Sequence, residues 1–189
     1  MSLFHCHNSP ISTLRVGLIQ ALGGMGDNFA VLTELTETGA WGRTVRSMLD
    51  LRVPQPWGNE DFGTHWIVAG HRIREQVAED RVLATFLRQV LPPYRDGPVV
   101  LYRGESKQRF AAGVIGFSWS TSETVAVMFA RGLNAVGGGG VLLRAELDAP
   151  AVIAGPNAHS RYLGEHQYTV DPTGCNGVAV VAEFPSNAA

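Results

Sequence analysis

Residues 116–132 read GFSWSTSETVAVMFARG, and their hydrophobic pattern changes period midway. The first five residues alternate in character as in a strand. The remainder carries apolar residues four apart, as on one face of a helix, and Gly132 suits the end of that helix. Ser120 and Glu123 have the spacing of a capping box. A strand that leads directly into a helix predicts a domain that contains both elements.

The chain on the N-terminal side of this stretch has the pattern of helices. In residues 1–97 apolar residues recur at helical spacing, and the longest such pattern runs from about Thr64 to Leu91 with a break near Asp80. We therefore predict a mainly helical N-terminal segment over residues 1–97. Three polar residues of its longest pattern are expected on the solvent face: His65, His71 and Arg74.

Beyond residue 97 the hydrophobic period falls toward two and β-branched residues gather in short runs such as PVVLYRG, GVLLRAEL and GVAVVAEF. These runs predict strands. The chain is thus expected to have an α+β fold, with the helical segment followed by a small split β-sheet in residues 98–189. We expect that sheet to be mixed or antiparallel, with a helix at 121–131 packed across it.

Composition limits the classes of partner. The 189 residues carry a formal net charge of −2, with 45% hydrophobic and 17% charged residues, as in a globular domain with a buried core. Such a balance gives no basic footprint for duplex nucleic acid or an anionic membrane. The first ten residues lack the regions of a secretory signal. We expect a cytoplasmic protein, or one delivered into a target cell without a signal peptide, and no membrane partner.

The cysteines and the N-terminal histidines do not predict a metal site. Cys6 and Cys175 lie near opposite ends of the chain, in no spacing typical of a zinc pair or a redox motif, so free thiols are expected. The sequence HCH at residues 5–7 offers zinc-ligand types, but a structural zinc site takes four ligands from a compact set. No metal is predicted.

Polar side chains gather in the stretch RYLGEHQYTV at residues 161–170, which alternates as a strand does. Side chains two apart on a strand point to one face. Glu165 and Gln167 are therefore expected on one face, with His166 on the other. Such a pair of polar groups on one side of a strand indicates a site.

Two further strands carry polar candidates. Arg103 comes at the end of VVLYRG, and Ser118 shares a face of GFSWS with Ser120. A guanidinium offers a planar fork of donors that suits phosphate or carboxylate. A serine hydroxyl can orient a ribose or an amide, and a carboxylate can stabilise a developing cation.

In their order along the chain, LYRG, the strand GFSWS leading into ETVAVMFARG, VLLRAEL and GEHQYTVDP resemble the ADP-ribosyltransferase superfamily, in the branch with an Arg, a Ser-x-Ser strand and a catalytic Glu. The resemblance covers residues 98 to about 184, and residues 1–97 match no family. It implies an ADP-ribosyltransferase-like sheet domain that takes NAD as its substrate.

By position, the resemblance implies that Arg103 contacts the phosphate and ribose of NAD and that Ser118 is the first serine of the motif. Trp119 stands where the family has Thr. The third motif departs further, because Gln167 occupies the place of the catalytic Glu and Glu165 takes the place two before it. Residues implied to contact NAD around Arg103 and Ser118 are Tyr102, Gly104, Phe117 and Ser120, and Tyr168 is a further candidate for stacking on nicotinamide.

Three accounts of Gln167 are open. The chain is an inactivated Glu-to-Gln variant of an active transferase, or Glu165 does the work in a shifted register, or the protein binds a nucleotide without turning it over. Gln keeps the shape of Glu but loses its charge, which stabilises the oxocarbenium-like state formed as nicotinamide leaves. Removing one such stabiliser costs roughly 10²–10³ in rate.

The expected function is mono-ADP-ribosyl transfer from NAD to a macromolecular acceptor, protein or nucleic acid. The resemblance associates Glu165 with arginine-like acceptors. It also implies that the chain is a bacterial or phage toxin or effector. The helical segment would recognise the target, cover the nicotinamide pocket or dock an inhibitor protein such as an antitoxin. The alternatives are a catalytically dead nucleotide-binding or protein-interaction module and an NAD glycohydrolase. A Ser118, His166 and Asp171 triad is disfavoured, because strand alternation points His166 away.

Overall fold

The computed structural model describes residues 28–52 and 57–187. The part of the predicted helical pattern that precedes residue 28, together with Cys6 and the HCH sequence, lies outside them. Within the described part, everything before residue 97 is helix or loop, as the periodicity predicts. The four helices are α1 (Asn28–Glu37), α2 (Trp41–Leu51), α3 (Asn59–Val77) and α4 (Asp80–Val90).

The break near Asp80 is confirmed. Helix α3 ends at Val77, and the next residue, Ala78, has a left-handed backbone with a φ of 59° that cannot continue an α-helix. Its N–H closes the helix on the carbonyl of Arg74. Helix α4 then begins at Asp80, an acidic residue in the first turn that complements the positive end of the helix dipole.

After residue 97 the chain forms an antiparallel sheet with short helices between its strands. In chain order its elements are β1 (Val99–Ser106), α5 (Lys107–Ala111), β2 (Ser118–Ser120), α6 (Glu123–Arg131), β3 (Gly140–Leu147), β4 (Val152–Ala154), α7 (Ala158–Tyr162), β5 (Gln167–Val170) and β6 (Ala179–Phe184). The described chain thus has the predicted α+β architecture. Whether it divides into two domains near residue 97 stays a prediction.

The six strands form one sheet in the order β4-β5-β2-β1-β3-β6, and every neighbouring pair is antiparallel. Of the two kinds of sheet that the sequence left open, the structure has the antiparallel one and not the mixed one. Strands β1 and β3 pair along their whole length, whereas β1 and β2 pair at one position, Tyr102 with Ser120. The predicted split is therefore a parting of two strands inside a continuous sheet and not a division into two sheets.

Helix α6 packs closely against the sheet because glycines face it. A Cβ built at Gly104 would lie 2.4 Å from the carbonyl oxygen of Ala126 and from the nitrogen of Ala130. One at Gly140 would meet the Ala130 carbonyl as well. These contacts are with backbone, which cannot turn aside as a flexible side chain does. Gly104 on β1 therefore sets the distance between the helix and the strand that carries Arg103.

The helical segment and the sheet share a core. Phe117, Ile153 and Ala154 from the sheet region pack with the buried residues of helices α1 to α4. Trp66 of α3 meets the edge of the Phe117 ring at 5.8 Å between centroids. A second cluster, which contains Leu101, is built mainly from residues of the sheet strands. Among the described residues, no helix is both long enough and apolar enough to cross a bilayer.

His65 departs from its expected position on the solvent face of α3. It is 5% exposed, and its Nε2 is 2.8 Å from the hydroxyl oxygen of Thr36. Burial, with a smaller contribution from the nearby charge of Arg72, lowers the pKa of His65. His71 is exposed as expected, whereas Arg74 is half-buried in an ion pair with Asp80. Periodicity identifies the helix, but it does not reveal that Thr36 would offer a polar partner inside the core.

Candidate active site

A cavity of about 400 Å³ lies where β1 and β2 part. Helix α3 contributes Trp66, Ile67 and His71 to its wall, and α6 contributes Ala126 and Phe129. All of the predicted site residues except Phe117 line it: Tyr102, Arg103, Gly104, Ser118, Ser120, Glu165 and Gln167. The three predicted motifs thus meet at one opening in the sheet.

Phe117 and Tyr168 do not join this cavity. The ring of Phe117 is 3% exposed and packs in the helical core beneath the guanidinium of Arg74, which lies 5.5 Å from the ring centre. Phe117 precedes β2 and fills space between the helical segment and the sheet. Phe117 therefore does not line the cavity that the other predicted site residues share. Tyr168 lines a different cavity, described below.

Arg103 is held in place before any ligand arrives. Its Nε and Nη2 donate to the same carboxylate oxygen of Glu105, at 3.0 and 2.8 Å, and its Nη1 donates to the Ser118 carbonyl at 2.6 Å. The side chain is 15% exposed. Burial lowers the pKa of Arg103, and the carboxylate of Glu105 works in the opposite direction. Each of Nη1 and Nη2 has one further N–H beyond these bonds.

Glu105 was not singled out by the sequence analysis. Its side chain is 1% exposed, and it is the ion-pair partner of both Arg103 and Arg109. It also accepts the backbone N–H groups of Ser106 and Gly116. The available signal was spacing, since on a strand a residue two positions after Arg103 points to the same face. A carboxylate there is well placed to meet the guanidinium.

The two serines of the motif have different partners. Ser118 is half-buried, and its carbonyl accepts from Arg103. The hydroxyl of Ser120 donates to the backbone carbonyl of Glu165 at 2.6 Å and accepts from the N–H of Ser122 at 3.0 Å. Ser120 therefore ties the end of β2 to the segment before β5.

Helix α6 is capped two residues later than the sequence pattern predicts. The N-cap is Ser122, whose hydroxyl accepts from the Val125 N–H at 3.3 Å. The expected capping box between Ser120 and Glu123 is wrong, because Ser120 ends strand β2 and its hydroxyl is used by Glu165 and by the N–H of Ser122. Three serine and threonine residues in succession left the cap position ambiguous in the sequence.

The stretch 161–170 is a strand only in its last four residues. Helix α7 runs to Tyr162, and the chain then turns through Gly164 and His166, whose φ angles are 71° and 44°. Left-handed backbone of this kind does not fit a strand. Glu165 therefore lies in a loop and does not share a strand face with Gln167. Both still line the cavity, because the turn directs the loop toward the opening.

Gln167 begins β5 opposite Ser120 and carries an amide nitrogen that is out of contact with solvent. That Nε2 has no hydrogen-bond partner among the described residues. Buried donors nearly always have a hydrogen-bond partner in native proteins, and a buried donor without one costs about 1–3 kcal/mol of stability. An unsatisfied amide in a cavity wall is suited to a ligand that presents an acceptor. The same amide oxygen can accept from a hydroxyl.

A second cavity, of about 720 Å³, lies on the other side of Gln167. Trp66, Ile67 and Gln167 line both cavities. The larger one is bounded by the loop after α4, by α7 and by the turn before β5. Its polar and aromatic lining includes Tyr94, Arg95, His159, Arg161, His166 and Tyr168.

No family model, curated protein or solved structure matches this chain. The resemblance to the ADP-ribosyltransferases therefore rests on the residues of the three motifs and on their arrangement.

Proposed function

We propose that this chain binds NAD in the cavity between β1 and β2 and transfers ADP-ribose from it to a macromolecular acceptor. The supporting observation is the meeting of Arg103, Ser118 and Gln167 at one opening, where β1 and β2 pair at a single position. The cavity, at about 400 Å³, lies within the range of about 300–1,000 Å³ that small-molecule sites occupy.

Each residue has a role in the proposed reaction. The free N–H groups of Arg103 bind a phosphate oxygen of NAD, and the amide oxygen of Gln167 accepts from a ribose hydroxyl. The glycosidic bond breaks, nicotinamide leaves with the electron pair, and the ribose carbon becomes oxocarbenium-like. A nucleophile of the acceptor then attacks that carbon and loses its proton to solvent. Glu165 is the acidic residue among those that line the cavity, and in this proposal its carboxylate stabilises the developing charge.

Gln167 limits the rate in this proposal. A carboxylate at its position would face the developing cation with a full charge, whereas an amide offers only a dipole. By the cost of removing one electrostatic stabiliser, the loss is roughly 10²–10³ in rate. Restoring the charge is therefore the most direct test.

The experiment measures nicotinamide release and transfer of labelled ADP-ribose into a cell lysate. It compares the unaltered chain with Gln167→Glu and with Gln167→Glu combined with Arg103→Ala. Gln89→Glu, on the exposed face of α4, is the matched control for the added charge. We expect Gln167→Glu alone to raise turnover by orders of magnitude and Arg103→Ala to abolish the gain. If no variant turns NAD over and calorimetry finds no NAD binding, the proposal is wrong.

A nucleotide-binding module without turnover is the second candidate. Two observations favour it, namely the uncharged Gln167 and the ion pair that occupies one edge of the Arg103 guanidinium. It predicts NAD binding by calorimetry with no release of nicotinamide, even in Gln167→Glu. Release without transfer to any acceptor would instead indicate an NAD glycohydrolase.

The biological role we propose, from the resemblance alone, is that of a bacterial or phage toxin or effector. Its acceptor is a protein or a nucleic acid, and an inhibitor protein is the corresponding partner. Induced expression in a bacterial host tests this role. Growth should slow more with Gln167→Glu than with the unaltered chain, and it should recover when Arg103→Ala is added.

A further inference from the structure

Glu105 is a buried carboxylate on which two arginines and two backbone N–H groups converge. Its side chain is 1% exposed, and the groups that meet it belong to Arg103, Ser106, Arg109 and Gly116. The Arg103 side chain is also largely enclosed, while that of Arg109 is 50% exposed. We propose that Glu105 is a positioning residue, which holds the guanidinium of Arg103 in the orientation that binds an anionic group of the nucleotide.

The contacts hold the guanidinium of Arg103 at all three of its nitrogens. Glu105 accepts from Nε and Nη2 of Arg103 through one oxygen, and the Ser118 carbonyl accepts from Nη1. Gly116 closes one side, since a Cβ built there would lie 2.1 Å from Nη2. A free arginine loses rotamer entropy when it orders around a ligand. Arg103 has lost that entropy already, so its remaining donors are ordered in advance.

Stability alone gives a weaker reason for this arrangement. Replacing a buried ion pair by well-packed apolar residues is often neutral or stabilising. Glu105 also draws in the N–H of Gly116, while Arg74 holds the adjacent Ile115 carbonyl at 2.9 Å. These contacts set the path of the chain as it enters β2 beside the cavity. The inference rests on the proposed function, because it takes the anionic group bound by Arg103 to be part of NAD.

A double-mutant cycle on NAD affinity distinguishes positioning from a general structural role. Calorimetry with NAD compares the unaltered chain, Glu105→Gln, Arg103→Ala and the double variant. We expect Glu105→Gln to weaken binding about tenfold or more, and to cause no further loss once Arg103 is alanine. An equal loss in both backgrounds would overturn the inference. Arg109→Ala, which removes the exposed partner of the same carboxylate, should change the affinity less than about twofold.

Gly116→Ala serves if Glu105→Gln does not fold. The added methyl group displaces the Arg103 guanidinium and leaves the carboxylate of Glu105 in place. It should weaken NAD binding by a similar factor, again with no effect once Arg103 is alanine. A loss of affinity that persists in the Arg103→Ala background would contradict positioning.

A measurement without ligand separates this inference from the proposed function. The Nε–H resonance of Arg103 in ¹⁵N NMR, assigned with Arg103→Lys, should report a rigid side chain in the unaltered protein. It should report a mobile one in Glu105→Gln, or in Gly116→Ala if that variant is used. If the unaltered chain binds no NAD, the proposed function fails and this resonance alone decides. An Arg103 side chain as rigid in the variant as in the unaltered protein would refute the positioning role.

Discussion

Trp66 donates its indole N–H to the hydroxyl of Thr169 at 2.9 Å, and this buried bond joins helix α3 to strand β5. The two residues are 103 positions apart in the chain. Trp66 lines both cavities, and Thr169 lies two residues after Gln167 on the same face of β5. The wall that α3 forms is thereby attached to the strand that carries the third motif.

Trp66→Phe tests this attachment. The phenyl ring keeps contact with Phe117 but leaves the Thr169 hydroxyl without its donor, so we expect a loss of about 1–3 kcal/mol in the free energy of unfolding. Urea denaturation measures it. Thr169→Val combined with Trp66→Phe removes both partners and should cost less than the sum of the single changes. Strict additivity would show that the bond contributes nothing.

Gly104→Ala should destabilise the fold through overpacking. The new methyl group would lie 2.4 Å from backbone atoms of Ala126 and Ala130. Helix α6 must then move from the sheet, at a cost of typically 1–3 kcal/mol. The matched control is Gly97→Ala, because a Cβ there meets nothing within 4 Å. We expect the control within about 0.5 kcal/mol of the unaltered chain in urea denaturation. Equal losses for both would contradict the packing argument.

Because His65 is buried, we expect the protein to lose stability as the solution becomes acidic. Burial lowers the pKa of His65 in the folded chain below the 6.5 expected when unfolded, so the unfolded state binds the proton more tightly. Its contribution to stability is full above pH 6.5 and is lost as pH falls toward the folded pKa. Urea midpoints between pH 8 and pH 5 measure the effect.

The control for this pH dependence uses the exposed histidine on the same helix. His65→Gln should flatten the loss of stability below pH 6.5, whereas His71→Gln should leave it unchanged. The comparison is made between slopes, because His65→Gln also removes packing at a buried site. An unchanged slope in His65→Gln would assign the acid sensitivity to another group.

Arg74 should matter more to stability than another arginine of the helical segment. It donates to both carboxylate oxygens of Asp80, at 2.8 and 2.6 Å, and to the Ile115 carbonyl beside the cavity. We expect Arg74→Leu to lower the free energy of unfolding by about 1–3 kcal/mol, because it leaves the half-buried carboxylate of Asp80 without its partner. Urea denaturation measures this loss. Arg46→Leu breaks a more exposed pair with Glu79 at 3.5 Å and should cost under about 1 kcal/mol. The reverse order would refute this ranking.

Local patterns in the sequence predicted the elements well. The change from helix to strand falls between Val90 and Val99, and the break near Asp80 is where α3 and α4 separate. The strands around Arg103 and Ser118 also lie where alternation indicated. These features depend on near neighbours along the chain, through hydrophobic period and helix-end chemistry. Such information is present in a short window of sequence.

The departures at residues 161–166, His65 and Phe117 have non-local or conformational causes. Residues 161–166 alternate like a strand, but the first two end helix α7 and the others form a turn in which Gly164 and His166 have left-handed backbone. His65 is buried because Thr36 supplies a hydrogen-bonding partner from another helix. Phe117 is withdrawn from the cavity into the core shared with the helical segment. None of these partners can be identified from spacing.

The sequence by itself determined the α+β order of elements and singled out the three stretches that line the cavity, and it left a mixed and an antiparallel sheet open. Tertiary structure decided that β1 and β2 pair at a single position, that α3 forms a wall of the opening, and that Trp66 bonds to Thr169, 103 positions away. The physical reason is the separation along the chain over which each kind of interaction acts. Hydrophobic period and helix-end signals act over a few residues, whereas ion pairs, buried hydrogen bonds and close packing join residues that are distant along the chain.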